Sequence, residues 1–450
     1  MPHRGNIAEH DIEPYMDVFG CVVSEELSFS TPKGNESSPI SRRDFLVGTG
    51  ISLTALMMRV SWAGTDETNP VKVGFIFPDQ GPLAQEARSM VAGFDFFLKE
   101  KRAHSLEILK KDSGPNDEKT LEALAELLVN NKVHFLVGPP SLNGSEKTIH
   151  GLSGGTTILF ITNPSVRLVA GEMCQPAIFR VRPNTYQSSQ PLAPWALKNI
   201  GARAFITGED DVQGNEEADY FAYVFERSGG TFADRIMFQS ASGRAKSILD
   251  GIEKSRPDFV FASLRQKATS VFLKALRGVS SNSKLPVIGP ESLTAFPGTL
   301  TTLGKTSLGV RTLSTMKDPQ DFTSRLKQEL GIDVAYAERA AEGYDMAHII
   351  YQAAHAIPED KNDPTKLAKF IEDITIEGPR GTIRFDRNHE PVVDMAVQEW
   401  HPSGRSFERR VLEQLGPSRS LDFGCGEVGF PKRPETETKE EEVIWDDQSD

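Results

Sequence analysis

The chain reads as an α/β protein of two lobes, each built on a parallel sheet with helices on both faces. Three observations predict this. Short apolar runs alternate with amphipathic stretches from Val71 onward. The alternation pauses at PAIFRVRPNTYQ and then starts again. The chain has 450 residues, enough for two lobes with tails.

The first set begins with VKVGFIF, an apolar run ending before Pro78, which predicts a buried strand. EARSMVAGFDFFLKEK follows with apolar residues at helical spacing. SLEILKKD predicts a strand and KTLEALAELLVNNK an amphipathic helix. VHFLVGPP and TTILFIT predict two more strands, separated by SEKTIHGLSGG. This βαβα order predicts a parallel sheet, because right-handed crossovers place the helices on its faces.

The second set runs from QPLAPWALKNIG, a helix, to the strand ARAFITGEDD. EEADYFAYVFERSGG, AKSILDGIEKSRP and KATSVFLKALRG predict helices, and TFADRIMFQ, DFVFASL and KLPVIGPES the strands between them. SLGVRTLSTM predicts a returning strand. PQDFTSRLKQELG, AERAAEGYDMAHIIYQAAHAI and DPTKLAKFIEDI predict helices. GTIRFDRNHEPVVDMAVQEWHPSG predicts closing strands with polar turns. Several strands cross between the lobes, so a hinge and a cleft are expected, and a cleft is the default solute site.

The termini read differently. S-R-R-x-F-L, with Arg42 and Arg43, resembles the twin-arginine export motif. The apolar stretch from Phe45 to Met58 is shorter than the about 20 residues a membrane span needs. Ser61-Trp62-Ala63 supplies small residues at the spacing a signal peptidase reads. Residues 1–63 are therefore expected to be a leader and signal peptide. The segment KRPETETKEEEVIWDDQSD is acidic and poor in apolar residues, so it is expected to be a solvated tail. Cys174 and Cys425 are the only cysteines after Ala63. An oxidising compartment would allow them to pair, and two unpaired buried thiols are the other reading.

Charge and motif content exclude several function classes. A net charge of −13 argues against binding a phosphate backbone. The histidines are scattered, with no H-E-x-x-H, and there is no C-x-x-C, so no metal or cofactor is expected. No P-loop and no G-x-S-x-G is present. Glu209-Asp210-Asp211 is a carboxylate cluster at a strand end, more simply a solvated loop or helix start. LDFGCGEVGF looks like a methyltransferase glycine motif, but only twenty residues follow Phe430, too few for the domain such a motif needs.

Several segments in order carry a resemblance. They are VGFIFPDQGPLAQEARSMVAGFDFFLKE, VNNKVHFLVGPPSLNGS, IFRVRPNTYQ, DFVFASL, VIGPES, EGYDMAHII and GTIRFDRNHEP. Together they resemble type I periplasmic solute-binding proteins of the branched-chain amino acid transport class, over roughly Val71 to Gly404. The resemblance implies two Rossmann-like lobes joined by a three-crossover hinge, with the ligand cleft between them. Lobe I is expected over residues 71–184 and about 312–385, lobe II over 185–311 and about 386–411, and a C-terminal extension over 412–450.

The resemblance also implies a non-enzymatic, monomeric protein in the periplasm or another extracytoplasmic space. Its partners would be a small amino acid, amide or carboxylate and an ABC permease in the inner membrane. Glu291 stands where the family places its ammonium-binding acid, and Tyr344 matches a tyrosine near the cleft. Ser141, Leu142, Asn143, Thr162 and Ser165 match its carboxylate-binding loops. Glu86 replaces a usual aromatic, and Arg265 aligns with a tyrosine. The pocket is thus expected to lose aromatic cover and to prefer a polar solute, with Arg265 either clamping a carboxylate or lying on a surface loop. A ligand sensor of a signalling system is the alternative function, and an exported cofactor enzyme a weaker one.

Overall fold

A computed structural model describes residues 70–421, with breaks at 104, 115–116, 153–155, 170–172, 174, 240, 280–282, 296–302, 358–361 and 404–405. The export motif, Cys174, Cys425 and the acidic tail lie outside the described residues.

The first half is a five-stranded sheet in the order β2-β1-β3-β4-β5. Its strands are β1 (Val71–Phe77), β2 (Leu106–Asp112), β3 (Phe135–Val137), β4 (Ile158–Ile161) and β5 (Ile178–Arg180). Every pairing is parallel. β3, β4 and β5 are buried at every residue, as continuous apolar runs covered on both faces must be. The helices are α1 (Ala84–Lys101), α2 (Asp117–Ala125, continued by a π turn over Glu126–Asn130) and α3 (Leu142–Gly151).

The second half repeats the same plan. β6 (Arg203–Glu209), β7 (Thr231–Phe238), β8 (Phe259–Ser263), β9 (Val287–Gly289) and β10 (Val310–Ser314) are parallel in the order β7-β6-β8-β9-β10. α4 (Leu192–Asn199), α5 (Val212–Arg227), α6 (Ala241–Ser255) and α7 (Gln266–Gly278) accompany them. In each half the order reverses beside the first strand of the set. In open α/β sheets the crevice outside the carboxyl ends of the strands at such a reversal is where ligands bind.

After β10 the chain returns to the first half through α8 (Pro319–Leu330), α9 (Ala337–Ala356) and α10 (Pro364–Asp373). β10 pairs with β9 through Thr312 and with β13 through Ser314. β11 (Thr375–Gly378) and β12 (Gly381–Phe385) form a hairpin, and β13 (Pro391–Ser403) runs antiparallel to both β12 and β10. β14 (Ser406–Ser418) pairs with β13 along its whole length. This strand runs past residue 412, where the sequence pattern places the start of the extension. Pairing to β13 decides its conformation, which local composition alone does not show.

α1 and α9 meet backbone to backbone. A Cβ added at Gly93 would lie 1.7 Å from the Ala340 carbonyl oxygen, and one at Gly343 would lie 1.9 Å from that of Met90. Glycine is required at both positions for this approach. Around it Tyr344 packs on Phe96 and Phe97 with ring centroids 5.5 and 5.1 Å apart. Gly343→Ala must push the two helices apart, and overpacking of this kind costs about 1–3 kcal/mol. Urea unfolding of the variant should show that loss at an unchanged m-value, and wild-type stability would contradict this account of the helix contact.

Candidate functional site

The carboxyl ends of both sheets face one cleft of about 420 Å³, counted with its open mouth. Pro164 reaches it from the loop after β4, and Arg182 and Ser188 from the segment leaving β5. Gln213 and Glu217 come from the first turns of α5, Glu291 and Ser292 from the turn after β9, and Thr315 from the end of β10. Arg339 comes from α9. The cleft therefore draws on both halves and on the segments that join them.

Four charged side chains, Arg182, Glu217, Glu291 and Arg339, stand on a lining that also includes Leu313, Met395 and three prolines. Arg339 donates from Nη2 to Glu291 at 2.7 Å and from Nη1 to Glu342 at 2.7 Å. Burial works against the Arg339 charge, but Glu342 and Glu291 outweigh it and hold its pKa above the usual value. Burial pushes the Glu291 carboxyl up to about 7; Arg339 pulls it down, while Glu338 and Glu342 add to the rise. Behind this pair, Arg409 of β14 donates to Glu338.

Arg182 is held more loosely. Its Nη1 donates to the Thr162 carbonyl at 3.4 Å and stands 3.7 Å from a Glu86 oxygen. Both distances are long for a guanidinium contact, whose usual range is about 2.7–2.9 Å. Burial and the neighbouring Arg339 lower its pKa. Ser292 Oγ and Thr315 Oγ1 are buried on the lining with no partner among the described residues. Glu217 is engaged on both oxygens, by Gln213 Nε2 at 3.0 Å and by Ser263 Oγ. Burial raises its pKa against the pull of Arg265.

The structure brings only some of the predicted residues together. Glu291 lines the cleft, and Glu86 touches it through Arg182. Thr162 supplies its carbonyl to Arg182, while its own hydroxyl is buried without a partner. Ser165 borders the lining, but its hydroxyl donates to Glu216 at 2.7 Å. Arg265 pairs with Glu209 at 3.0 Å and with Asp211, outside the lining.

Ser141 caps α3 by accepting from the Gly144 amide at 3.3 Å, and Leu142 and Asn143 are the first residues of that helix. None of the three lines the cleft. Tyr344 is buried among Phe96, Phe97 and Phe322, and its hydroxyl donates to Glu100. It follows Arg339 by five residues, which turns it about 140° round the helix and away from the cleft.

Arg182, Arg339, Glu217, Ser292 and Thr315 were not foreseen as site residues. One signal for Arg339 is legible in hindsight. AERAAE places charges within a helix that is otherwise apolar, and buried charges are retained only with partners. Arg182 stands in IFRVRPNTYQ, one of the segments that carry the family resemblance.

The comparisons agree with this architecture. A family model described as periplasmic binding protein matches residues 70–405, and the chain belongs to that family. The Leu/Ile/Val-binding protein homolog 6 of Brucella suis biovar 1 (strain 1330) is 26% identical over 350 residues, 75% of this chain and 88% of the relative. An ABC transporter substrate-binding protein from Sphaerobacter thermophilus superposes with a TM-score of 0.71 at 19% identity, over 78% of this chain and 100% of that one. A solute-binding protein of an ABC transporter from Rhodopseudomonas palustris BisB5, in complex with 3,4-dihydroxybenzoic acid, gives 0.68 at 22% identity, over 78% and 98%.

The raised carboxyls set a pH dependence. Glu291 and the buried Glu390 titrate near 7 in the folded chain, against 4.5 when unperturbed. Between those values the folded state holds protons that the unfolded chain has lost. Stability should therefore fall as pH rises from 4.5 to about 7, then level off. Carboxyls held low, such as Asp112, act below this window. The melting temperature should be higher at about pH 5.5 than at about pH 8, and Glu390→Gln should shrink the difference. A melting temperature that climbs over this range would contradict the assignment.

Proposed function

We propose that this periplasmic binding protein is the solute-binding component of an ABC-type uptake system, outside the cytoplasmic membrane. It closes its two halves on an amino acid, amide or small carboxylate and delivers that solute to a membrane permease. The observation that carries the reading is the cleft itself, with Arg182 loosely held on a lining drawn from both halves. A guanidinium with spare donors in a buried cleft receives a carboxylate through charge-assisted hydrogen bonds. Ser292 and Thr315 add hydroxyls that a ligand oxygen or amide can satisfy.

Family membership supports the role, and the Rhodopseudomonas relative holds a carboxylic acid. No catalytic step is part of the proposal: the cleft binds, and closure follows because a ligand touching both halves favours the closed arrangement. The S-R-R-x-F-L motif supports export by the twin-arginine route, with the mature chain starting near Gly64. A pairing of Cys174 with Cys425 would fit an oxidising compartment.

A thermal-shift screen of amino acids, amides and small carboxylates tests the role. A binder at about 100 times its Kd should gain roughly 2.7 kcal/mol of stability. Arg182→Met should weaken a carboxylate ligand by about tenfold to a hundredfold in calorimetry, as loss of a charged hydrogen bond worth about 1.5–3 kcal/mol requires. Undiminished affinity would remove Arg182 from the site. For export, replacing Arg42 and Arg43 by Lys should leave unprocessed precursor in the cytoplasm, whereas normal processing would rule out the twin-arginine route.

A further inference from the structure

We infer that the solute is a carboxylic acid without an α-ammonium group, because the protein's own Arg339 occupies the cation's place at Glu291. The inference rests on the solute-binding reading above and narrows its ligand class.

Glu291 follows β9 of the second half, at the position where the family resemblance puts an ammonium-binding acid. In this chain that acid is already engaged. Arg339, from α9 on the first half, reaches across the cleft to it at 2.7 Å. Glu342, one helical turn along, takes the other arm of the same guanidinium at 2.7 Å. The Arg339 and Glu291 side chains are only 6% and 14% exposed. A ligand ammonium would have to displace a tethered cation that two carboxylates already hold.

The other carboxylates near this wall already face cations or donors of the chain, Glu86 with Arg182 at 3.7 Å and Glu342 with Arg339. Glu338 receives Arg409. Glu217 accepts from Gln213 and Ser263 on its two oxygens and faces Arg265. Arg182, by contrast, has one hydrogen bond at 3.4 Å and one ion pair at 3.7 Å. The two hydroxyls without partners among the described residues, Ser292 Oγ and Thr315 Oγ1, line the same cleft. The chain thus sets its own guanidinium against Glu291 and leaves Arg182 and two hydroxyls with bonding capacity for an anion. An α-amino acid would bring its carboxylate to Arg182 and leave its ammonium beside Arg339, a like charge in a buried site. The deaminated acid of the same shape carries no such penalty.

Matched pairs test this. Leucine against 4-methyl-2-oxopentanoate, phenylalanine against phenylpyruvate, and glutamate against 2-oxoglutarate are compared by thermal shift and titration calorimetry on the mature chain. Benzoate and a set of simple amides join the panel. The oxo acid should bind at least about tenfold more tightly than its amino acid in whichever pair binds, a difference of about 1.4 kcal/mol. Arg339→Met frees Glu291 and should narrow or reverse that preference. The wild-type ranking needs no variant, so the test survives a substitution that fails to fold.

An amino acid that binds as tightly as its oxo acid, or more tightly, overturns the inference and leaves the solute-binding role standing. A folded Arg339→Met protein with an unchanged ranking also overturns it. If no member of the panel shifts the melting temperature, the solute-binding reading itself falls, and this inference with it.

Discussion

A guanidinium keeps its proton at any ordinary pH, so each one folded into the interior must meet carboxylates or carbonyls there. The region joining the two halves is organised by this constraint. Arg180 and Arg380 are both fully buried. Arg380 donates to Asp345 at 2.6 Å and to the Val181 carbonyl at 3.0 Å, which fixes the β11–β12 turn against α9 and the exit of β5. Arg180 stands 3.1 Å from Glu390 and donates to the Ser165 carbonyl at 2.8 Å, which ties β5 to the loop after β4 and to the turn before β13. Each arginine pins one passage of chain between the sheets. Breaking such a pair on one side leaves a buried charge uncompensated, which costs far more than any exposed ion pair contributes.

The same constraint explains why the cleft has a polarity. Where a guanidinium is closely paired, it acts as a strut. Arg180, Arg380 and Arg339 are of this kind, with carboxylates or carbonyls within ordinary bonding distance. Arg182 is the exception on the lining, since its contacts are long. It follows β5 by two residues, where the chain leaves the first sheet, and the strand end leaves its side chain at the mouth of the crevice. Burial without close pairing is costly for a charge, and a ligand anion relieves that cost.

Much of the fold was legible because buried parallel strands announce themselves locally. VKVGFIF and DFVFASL are apolar from end to end, and each is followed by a stretch at helical spacing. The restart after β5 was legible for the same reason. The cleft was less so. Glu291 was found through its resemblance, but its partner Arg339 lies 48 residues away, and no local period records that pairing. Tyr344 and Arg339 share one helix, so a segment match cannot say which of them faces the cleft. Ser141, Leu142 and Asn143 look like a loop in the sequence, yet the Ser141 hydroxyl caps a helix that begins at Leu142. β14 contains exposed Val411 and Leu412 and no alternating pattern, and only its partner β13 makes it a strand.

Contacts between the halves also bear on how closure responds to a solute. Glu291 with Arg339, Glu338 with Arg409, Gln266 with Tyr336, and Glu216 with Ser165 all join elements of the second half to elements of the first or to α9. These contacts hold the two halves together in the arrangement described. A ligand shifts an equilibrium only by its difference in affinity for the two states. Under the proposed role, the Arg339–Glu291 pair acts on the equilibrium that exists before any solute arrives, and the solute adds its own difference in affinity to that. In the proposed reading the solute contributes one anion, set between Arg182 and the hydroxyls of Ser292 and Thr315. Under that reading, charge pairing within the protein bears both on how readily the cleft closes and on which charge it closes on.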